Sequence, residues 1–370
     1  MSLSEVFCQD KAISILHRAY AAGKVPHAYI FTGQEGVGKF MTASGWAKLL
    51  LCRCPVIEKD LADSCGACSS CRLFEAGSHP DFNHVYKELV EFTKEGKGKT
   101  APVDLPIDVI REFLIEKAPA KPTLSAKKVF VVSEAEKLNK KSQNCLLKIL
   151  EEPPGYCCII LLCTSLEKML PTTKSRCRLI RFGPVDEQRI ADKLESMGME
   201  RQQGQYFGRL AEGSIGAASQ WAALELAQAG LYKTKKDIVN FLGSYKYGDS
   251  LDIAQHLVAE IKKIAAVWTK IEEGTSKTDI SRRAQKFIIR IIISALHDAM
   301  KLDLTGPGRI INFDQQEEIK SISERFGVCR LTGKIADICK TLHWTDSSVN
   351  QRLIFEQLLL NLAASGTITV

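Results

Sequence analysis

The segment Gly33-Gln-Glu-Gly-Val-Gly-Lys39-Phe40 constrains the fold of this chain more than any other feature. It follows the short apolar run His27–Thr32 and precedes Phe40–Leu51, which has the pattern of a helix. A strand, a glycine-rich turn and a helix in this order hold phosphates with backbone N–H groups, the helix N-terminus and the lysine. The alternative is a glycine-rich turn with an incidental lysine. The candidate residues for binding a nucleotide, ATP or ADP, are Gly33, Gly36, Gly38 and Lys39.

The surrounding sequence predicts an α/β domain followed by helices. Residues 10–182 alternate between helical and strand-like segments, which is the pattern of a parallel sheet with helices on both faces. After Gly183-Pro184 the strand signal ends, and apolar residues recur at helical spacing. We therefore predict three domains: an α/β domain at 1–182, a small helical domain at 183–242 and an all-α C-terminal domain at 243–370. The strands are predicted at 27–32, 81–86, 128–132, 157–164 and 179–182, and the first helices at 10–22, 40–51, 107–116, 141–150, 186–198 and 202–223.

Two positions that would hold Mg²⁺ beside a bound nucleotide carry the wrong side chains. The eighth loop position needs a hydroxyl but is Phe40, and Thr42 points to another side of the helix. At the end of a buried strand, Ser133 stands where an acidic residue would hold the metal. Glu134 stands where a glutamate would polarise water, or is a solvated carboxylate. Because phosphoryl transfer depends on Mg²⁺, we expect Mg²⁺ binding to be impaired and ATP hydrolysis by the isolated chain to be inefficient.

Four of the thirteen cysteines form a candidate metal site. Cys65-Gly-Ala-Cys68-Ser-Ser-Cys71 has the spacing of zinc ligands, and Cys52 or Cys54 supplies the fourth thiol. Four thiolates leave no position for water or substrate, so such a zinc site is structural. The alternatives are buried cysteines or a redox pair of the C-x-x-C type.

Composition excludes several other classes of protein. Hydrophobic residues at 45% and charged residues at 25% exclude a mainly disordered chain. The longest apolar run, Cys157–Cys163, is far shorter than the roughly 20 residues that span a bilayer. Met1–Asp10 lacks the apolar core of a secretory signal, so we expect a cytoplasmic protein without a membrane partner. The net charge of +7 permits contact with nucleic acid without requiring it.

Two groups of basic residues leave more than one interpretation open. Arg176, in Lys174-Ser-Arg-Cys-Arg178, is a surface or salt-bridged arginine, or it acts on a nucleotide bound to an adjacent subunit. The second group is a solvated helix face or a contact with DNA or an acidic partner. It comprises Lys277, Arg282, Arg283, Lys286 and Arg290.

Together these motifs resemble the bacterial clamp-loader subunits of the AAA+ class. The similarity spans residues 1–182, and the helical remainder agrees in length and pattern. The resemblance implies an AAA+ P-loop domain with a zinc-module insertion at 52–71, a lid domain at 183–242 and a collar domain for oligomerisation at 243–370. The matching segments are Pro26–Gly33, the cysteines, Ala76-Gly-Ser-His-Pro-Asp81, Asn144–Pro154 and Ser175-Arg-Cys177.

The resemblance also implies a function. Such subunits form a pentameric loader within the DNA polymerase III holoenzyme, which opens a ring-shaped sliding clamp and places it on primed DNA. The implied partners are the gamma/tau and delta subunits and, through the assembly, the sliding clamp and primed DNA.

Within that family the sequence looks most like the stationary, largely ATPase-deficient subunit, whose Ser-Arg-Cys motif supplies an arginine finger to a neighbouring ATPase site. That role falls on Arg176, and Cys52 matches the first zinc ligand better than Cys54. Phe40, Ser133 and Ala217, the last at a position where the ATPase subunits have arginine, are three losses at one site.

Two further hypotheses remain open. One is an active ATPase subunit of the same loader, which would need Glu134 and a replacement metal ligand. The other is a zinc-dependent nucleic-acid-binding module with a vestigial phosphate loop.

Overall fold

The computed structural model describes residues 2–58, 61–94, 104–272, 275–305, 310–345 and 349–363. The chain divides into two compact units, Met1–Val185 and Asp186–Val370. The boundary between them lies close to the predicted end of the α/β domain at residue 182. The division of the second half at 242/243 stays a prediction.

The first unit contains two sheets and six α-helices among its described residues. The strands are β1 (Ala28–Thr32), β2 (Val56–Glu58), β3 (Leu61–Asp63), β4 (Phe82–Val85), β5 (Lys128–Val132), β6 (Cys157–Cys163) and β7 (Arg178–Arg181). The helices are α1 (Asp10–Ala21), α2 (Lys39–Leu51), α3 (Ser69–Glu75), α4 (Ile107–Ile110), α5 (Lys140–Glu151) and α6 (Pro171–Arg176).

The main sheet confirms the predicted α/β class. Its five strands have the order β4-β5-β6-β1-β7, and every neighbouring pair is parallel. Strands β1, β5 and β6 are buried along their whole length because helices cover both faces of the sheet. The carboxyl ends of parallel strands meet at one edge, so the glycine-rich loop after β1 lies near the residues that follow β5 and β6.

The second unit is helical throughout its described residues, as the apolar spacing predicts. Its helices are α7 (Glu187–Ser196), α8 (Arg201–Leu210), α9 (Ile215–Leu226), α10 (Leu231–Ser244), α11 (Ser250–Ile271), α12 (Lys277–Thr305), α13 (Gln316–Phe326), α14 (Val328–Thr345) and α15 (Gln351–Ala363). No helix in the described part of the chain is both long enough and apolar enough to cross a membrane.

The structure differs from the predicted elements at a break in one helix, a π-helical turn in another and several short elements. The helix predicted at 202–223 is broken, because Glu212 and Gly213 have positive φ angles and Ser214 caps a new helix. The helix predicted at 107–116 changes after Ile110 into a π-helical turn at Arg111–Ile115. The short β2–β3 hairpin and the short helices α3 and α6 have no counterpart among the predicted elements, because they contain too few residues for a periodic signal.

A buried ion pair joins α10 to the segment before α13 in the second unit. The side chains of Lys235 and Asp314 are 0% and 2% exposed and pair directly. The Tyr232 hydroxyl donates to the same carboxylate at 2.7 Å, and the lysine ammonium lies 4.8 Å from the centre of the Tyr206 ring. Burial lowers the pKa of Lys235, whereas Asp314 raises it. Each charge is therefore tolerated only because the other is present.

We expect Lys235→Met to lower the free energy of unfolding by about 3–5 kcal/mol, because it leaves a buried carboxylate without its cation. The double variant Lys235→Met/Asp314→Leu should recover most of this loss. Lys340→Met is the control, because Lys340 forms an exposed pair with Asp337 and should cost about 1 kcal/mol or less. Urea unfolding followed by circular dichroism measures all three, and equal losses for the two lysine variants would contradict the expectation.

Candidate functional site

The glycine-rich loop lies between β1 and α2, where the sequence predicts it, and its glycines are structurally required. Gly36 and Gly38 have φ angles of 75° and 102°, which side chains with a Cβ rarely adopt. A Cβ on Gly33 would lie 2.5 Å from the carbonyl oxygen of Phe182, which follows β7. The loop is thus a tight turn, held against the end of the sheet, that opens directly into α2.

Lys39, the first residue of α2, is directed back into this loop. Its side chain is buried, and Nζ donates to the carbonyl oxygens of Gly33 at 2.6 Å and Gln34 at 2.7 Å. Burial lowers the pKa of Lys39, while Glu136 and Glu35 raise it. The ammonium therefore lies where it would meet a phosphate held by the loop.

Phe40 and Ser133, where the sequence lacks the expected metal ligands, both contact one histidine, His84, which no motif indicated. The ring centres of Phe40 and His84 are 4.8 Å apart, and His84 Nε2 lies 2.8 Å from the Ser133 hydroxyl oxygen. Thr42 does not replace the missing ligand, because its hydroxyl is buried and donates to the carbonyl oxygen of Gly38 at 2.9 Å. An aromatic contact and a neutral hydrogen bond thus occupy the positions where a divalent cation would need oxygen ligands.

The acidic residues after β5 divide between two environments. Glu134 has a φ angle of 52°, pairs with Lys137 and lies 3.7 Å from the Lys87 ammonium. Glu136 accepts from the Thr164 hydroxyl at 2.6 Å, and its charge acts on Lys39. Of these two carboxylates it is therefore Glu136 whose charge raises the pKa of Lys39, whereas the sequence pattern pointed to Glu134.

Arg176 is the last residue of α6 and lies on the surface of the first unit. Its side chain is 34% exposed, and Nη2 lies 2.6 Å from a carboxylate oxygen of Glu151, the last residue of α5. A second guanidinium nitrogen donates to the carbonyl oxygen of Thr172 at 2.9 Å. These contacts hold the arginine in one orientation while part of it stays accessible. Ala217 lies in the other unit, in the first turn of α9, and offers no charge.

The four predicted cysteines come together at distances suited to one metal ion. The Sγ atoms of Cys52, Cys65, Cys68 and Cys71 all lie within 4.8 Å of one another. Cys52 Sγ is 3.6 Å from that of Cys65 and 4.0 Å from that of Cys68. Tetrahedral thiolates about 2.3 Å from Zn²⁺ would be about 3.8 Å apart. The cluster could therefore hold a metal ion.

Backbone N–H groups point at the sulfur atoms of this cluster. The N–H of Cys65 donates to Cys52 Sγ at 3.4 Å, that of Cys68 to Cys65 Sγ at 3.4 Å and that of Cys71 to Cys68 Sγ at 3.5 Å. Such donors stabilise thiolates, so the N–H groups of Cys68 and Ala67 lower the pKa of Cys65.

Burial and backbone N–H donors together determine the pKa values of the other three thiols. Burial raises the pKa of Cys68, but the N–H groups of Cys71 and Arg53 and its thiol neighbours outweigh it and bring that pKa to about 6. Burial raises the pKa of Cys52 and Cys71. A cation would favour the thiolate form of these last two. Cys54, the alternative first ligand, is exposed and stands outside the group.

The basic segment of α12 is largely engaged within its own unit. Arg283 lies 2.9 Å from Glu272, and Arg282 lies 3.5 Å from Asp279. The Arg290 guanidinium lies 5.6 Å from the centre of the Trp221 ring. These contacts favour the interpretation of the basic segment as a solvated helix face.

Comparison with known proteins agrees with the motifs. A family model described as "DNA polymerase III, delta subunit" matches residues 8–186, and one described as "DNA polymerase III, delta subunit, C terminal" matches residues 280–364. The chain is 27% identical to the DNA polymerase III subunit delta' of Escherichia coli, over 93% of this chain and 91% of that protein. It is 37% identical to the delta' subunit of Pseudomonas aeruginosa, over 41% of each chain.

The chain also matches tau/gamma subunits, but the match covers a smaller part of their length. The chain is 29% identical to the DNA polymerase III subunit tau/gamma of Haemophilus influenzae, over 68% of this chain and 35% of that protein. Among solved structures, a gamma subunit-related protein of Thermotoga maritima is 14% identical, with a TM-score of 0.41 over 95% of this chain and 98% of that one.

His84 should make stability depend on pH. Burial lowers its pKa to about 4 from an ordinary value of 6.5, so below pH 6.5 the unfolded chain takes up a proton that the folded chain excludes. The free energy of unfolding should fall between pH 6.5 and 4, and His84→Phe, which keeps an aromatic ring against Phe40, should reduce that slope by about 1 kcal/mol per pH unit.

Urea unfolding at several pH values measures this slope. Ser133→Ala is the control, because it removes the hydrogen-bond partner of His84 and keeps the titrating ring. Parallel pH profiles for the wild type and His84→Phe would contradict the expectation.

Proposed function

Because the chain belongs to the DNA polymerase III delta family of clamp-loader subunits, we propose that it acts in such a loader as the delta' subunit, which supplies Arg176 to a neighbouring ATPase site and hydrolyses little ATP itself. Its partners are the other loader subunits, gamma/tau and delta. The sliding clamp and primed DNA are reached through the assembly.

The observation that carries this proposal is the contrast between the glycine-rich loop and the surface arginine on α6. At the loop, Phe40 and Ser133 contact His84 in place of a metal ion. At α6, Arg176 is accessible and oriented by Glu151. ATP or ADP bound by Gly33, Gly36, Gly38 and Lys39 would lack the cation that neutralises charge in phosphoryl transfer. A subunit of this kind gives an arginine to another site but does not turn over its own nucleotide.

We propose further that Cys52, Cys65, Cys68 and Cys71 hold one structural Zn²⁺. The support is the distance between their Sγ atoms and the donors that favour thiolates. When bound, the ion would cross-link the end of α2 to α3 and the turn between them. A cytoplasmic location accords with this site, because thiols stay reduced there.

Arg176→Ala should lower the ATPase activity of a loader reconstituted with clamp and primed DNA, by about 10³-fold at the site that receives the arginine. Clamp loading should fall with it. Because the pair of Arg176 with Glu151 lies at the surface, its loss should cost about 1 kcal/mol or less, and the unfolding midpoint should stay close to that of the wild type. Steady-state phosphate release and a clamp-loading assay measure the effect.

Arg178→Ala is the matched control, since Arg178 is exposed two residues further along the chain. The isolated chain should show negligible turnover in every form. A strong DNA-stimulated ATPase activity of the isolated wild type would contradict the proposal, as would an unchanged loader carrying Arg176→Ala.

Cys52→Ser should reduce bound zinc from one ion per chain to well below one, because it removes one of four ligands. Cys54→Ser should leave the ion in place, because Cys54 lies outside the cluster. Elemental analysis after dialysis measures both. Equal zinc loss in the two variants, or a wild type without zinc, would refute this assignment.

A further inference from the structure

A buried hydrogen-bond network lies directly behind the cysteine cluster. It comprises His79, Asp81, Ser70, Ser125 and the carbonyl oxygen of Leu51, and we refer to it as the His79 network. His79, Asp81 and Ser70 are each 5% exposed or less. None of these residues is a metal ligand, and the phosphate loop does not use them. Their burial and mutual contacts therefore need another explanation.

The hydrogen bonds around His79 have defined donors and acceptors. The Asp81 N–H donates to His79 Nδ1 at 3.0 Å, so the ring carries its proton on Nε2. The hydroxyls of Ser70 and Ser125 donate to the Leu51 carbonyl oxygen at 2.7 and 2.8 Å. Their oxygens are then free to accept from His79 Nε2, at 2.8 Å for Ser70 and 3.3 Å for Ser125. The imidazole N–H thus orients both hydroxyls toward one carbonyl oxygen.

Asp81 fixes the other side of the network to the main sheet. Its carboxylate accepts from the N–H groups of Thr123 at 2.6 Å and of Leu124 and Ser125 at 2.8 Å. Its carbonyl oxygen accepts from the N–H of Val129, in β5, at 2.8 Å. The His79 ring therefore rests on a rigid support rather than on a mobile loop.

Two of the bonded residues are chain neighbours of zinc ligands. Leu51 precedes Cys52 at the end of α2, and Ser70 precedes Cys71 in α3. The bond from the Ser70 hydroxyl to the Leu51 carbonyl oxygen therefore sets the separation of two ligand-bearing segments that lie 19 positions apart in sequence. Binding a metal costs less free energy when its ligands are already in place.

We propose that His79 is a positioning residue of the metal centre. Through Ser70 and Leu51 it holds Cys52 and Cys71 at metal-binding distance before the ion arrives. This inference rests on the proposed zinc site, because a cluster that binds no metal needs no such positioning. It gives a role to the segment Gly77-Ser-His-Pro-Asp81, which contains both His79 and Asp81.

The test is the zinc affinity of the full chain, measured by competition with a chromogenic chelator. His79→Ala and Ser70→Ala should each bind zinc about 10–100-fold more weakly than the wild type, the usual range for groups that orient ligands. His79→Gln should recover part of the affinity, because its amide N–H can approach the position of Nε2–H. The absorption spectrum of the Co²⁺-substituted protein should still report four thiolates, since every ligand is kept.

His27→Ala is the matched control, because the His27 ring bonds only to the Leu150 carbonyl oxygen among the contacts described and lies outside the His79 network. It should bind zinc as the wild type does, whatever its effect on the unfolding midpoint. If His79→Ala does not fold, Ser70→Ala and Ser125→Ala, which each remove one hydroxyl, decide the question. Wild-type affinity in these variants overturns the positioning role alone, whereas a wild type without zinc overturns the metal site as well.

Discussion

Strand β1 is the element on which the first unit depends. It is buried along its length and pairs in parallel with β6 on one side and β7 on the other, so that its backbone bonds are satisfied within the sheet. The chain leaving it must turn at once, and the close approach of Gly33 to Phe182 permits only glycine there. Because α2 starts from that turn, the positions of Lys39 at its beginning and Cys52 after its end follow from the strand.

The shape of the glycine-rich loop does not depend on the side chains of Phe40 and Ser133, because backbone conformation and helix packing determine it. Backbone conformation at Gly36 and Gly38 and the packing of α2 shape the loop, and neither needs Mg²⁺. Phe40 and Ser133 contact His84 through their side chains, so these contacts can form without altering the loop. Arg176 lies on another element, α6.

Most of the fold could be predicted from the sequence, because the three central strands β1, β5 and β6 are short, buried and therefore largely apolar runs. The edge strands β4 and β7 are only partly buried and contain polar residues, so their pattern is weaker. Spacing likewise indicated the loop and the cysteines. The roles of His84 and Glu136 could not be predicted, because their hydrogen-bond partners Ser133 and Thr164 lie 49 and 28 positions away. The role of His79 could not be predicted, because its partner Ser70 lies in a short helix without a periodic signal. The break at Glu212–Ser214 depended on backbone angles that no side-chain pattern records.

Helix α2 begins at Lys39, directly after the glycine-rich loop, and is followed directly by Cys52 of the cysteine cluster. At about 1.5 Å per residue, its 13 residues separate these two ends by roughly 20 Å. In an enzyme that needs nucleotide, the bound phosphates help to hold such a helix. Here the opposite end has its own attachment, through the cysteines and the Leu51 carbonyl oxygen. A helix that is attached at its far end can keep its position whether or not a nucleotide is bound at its near end.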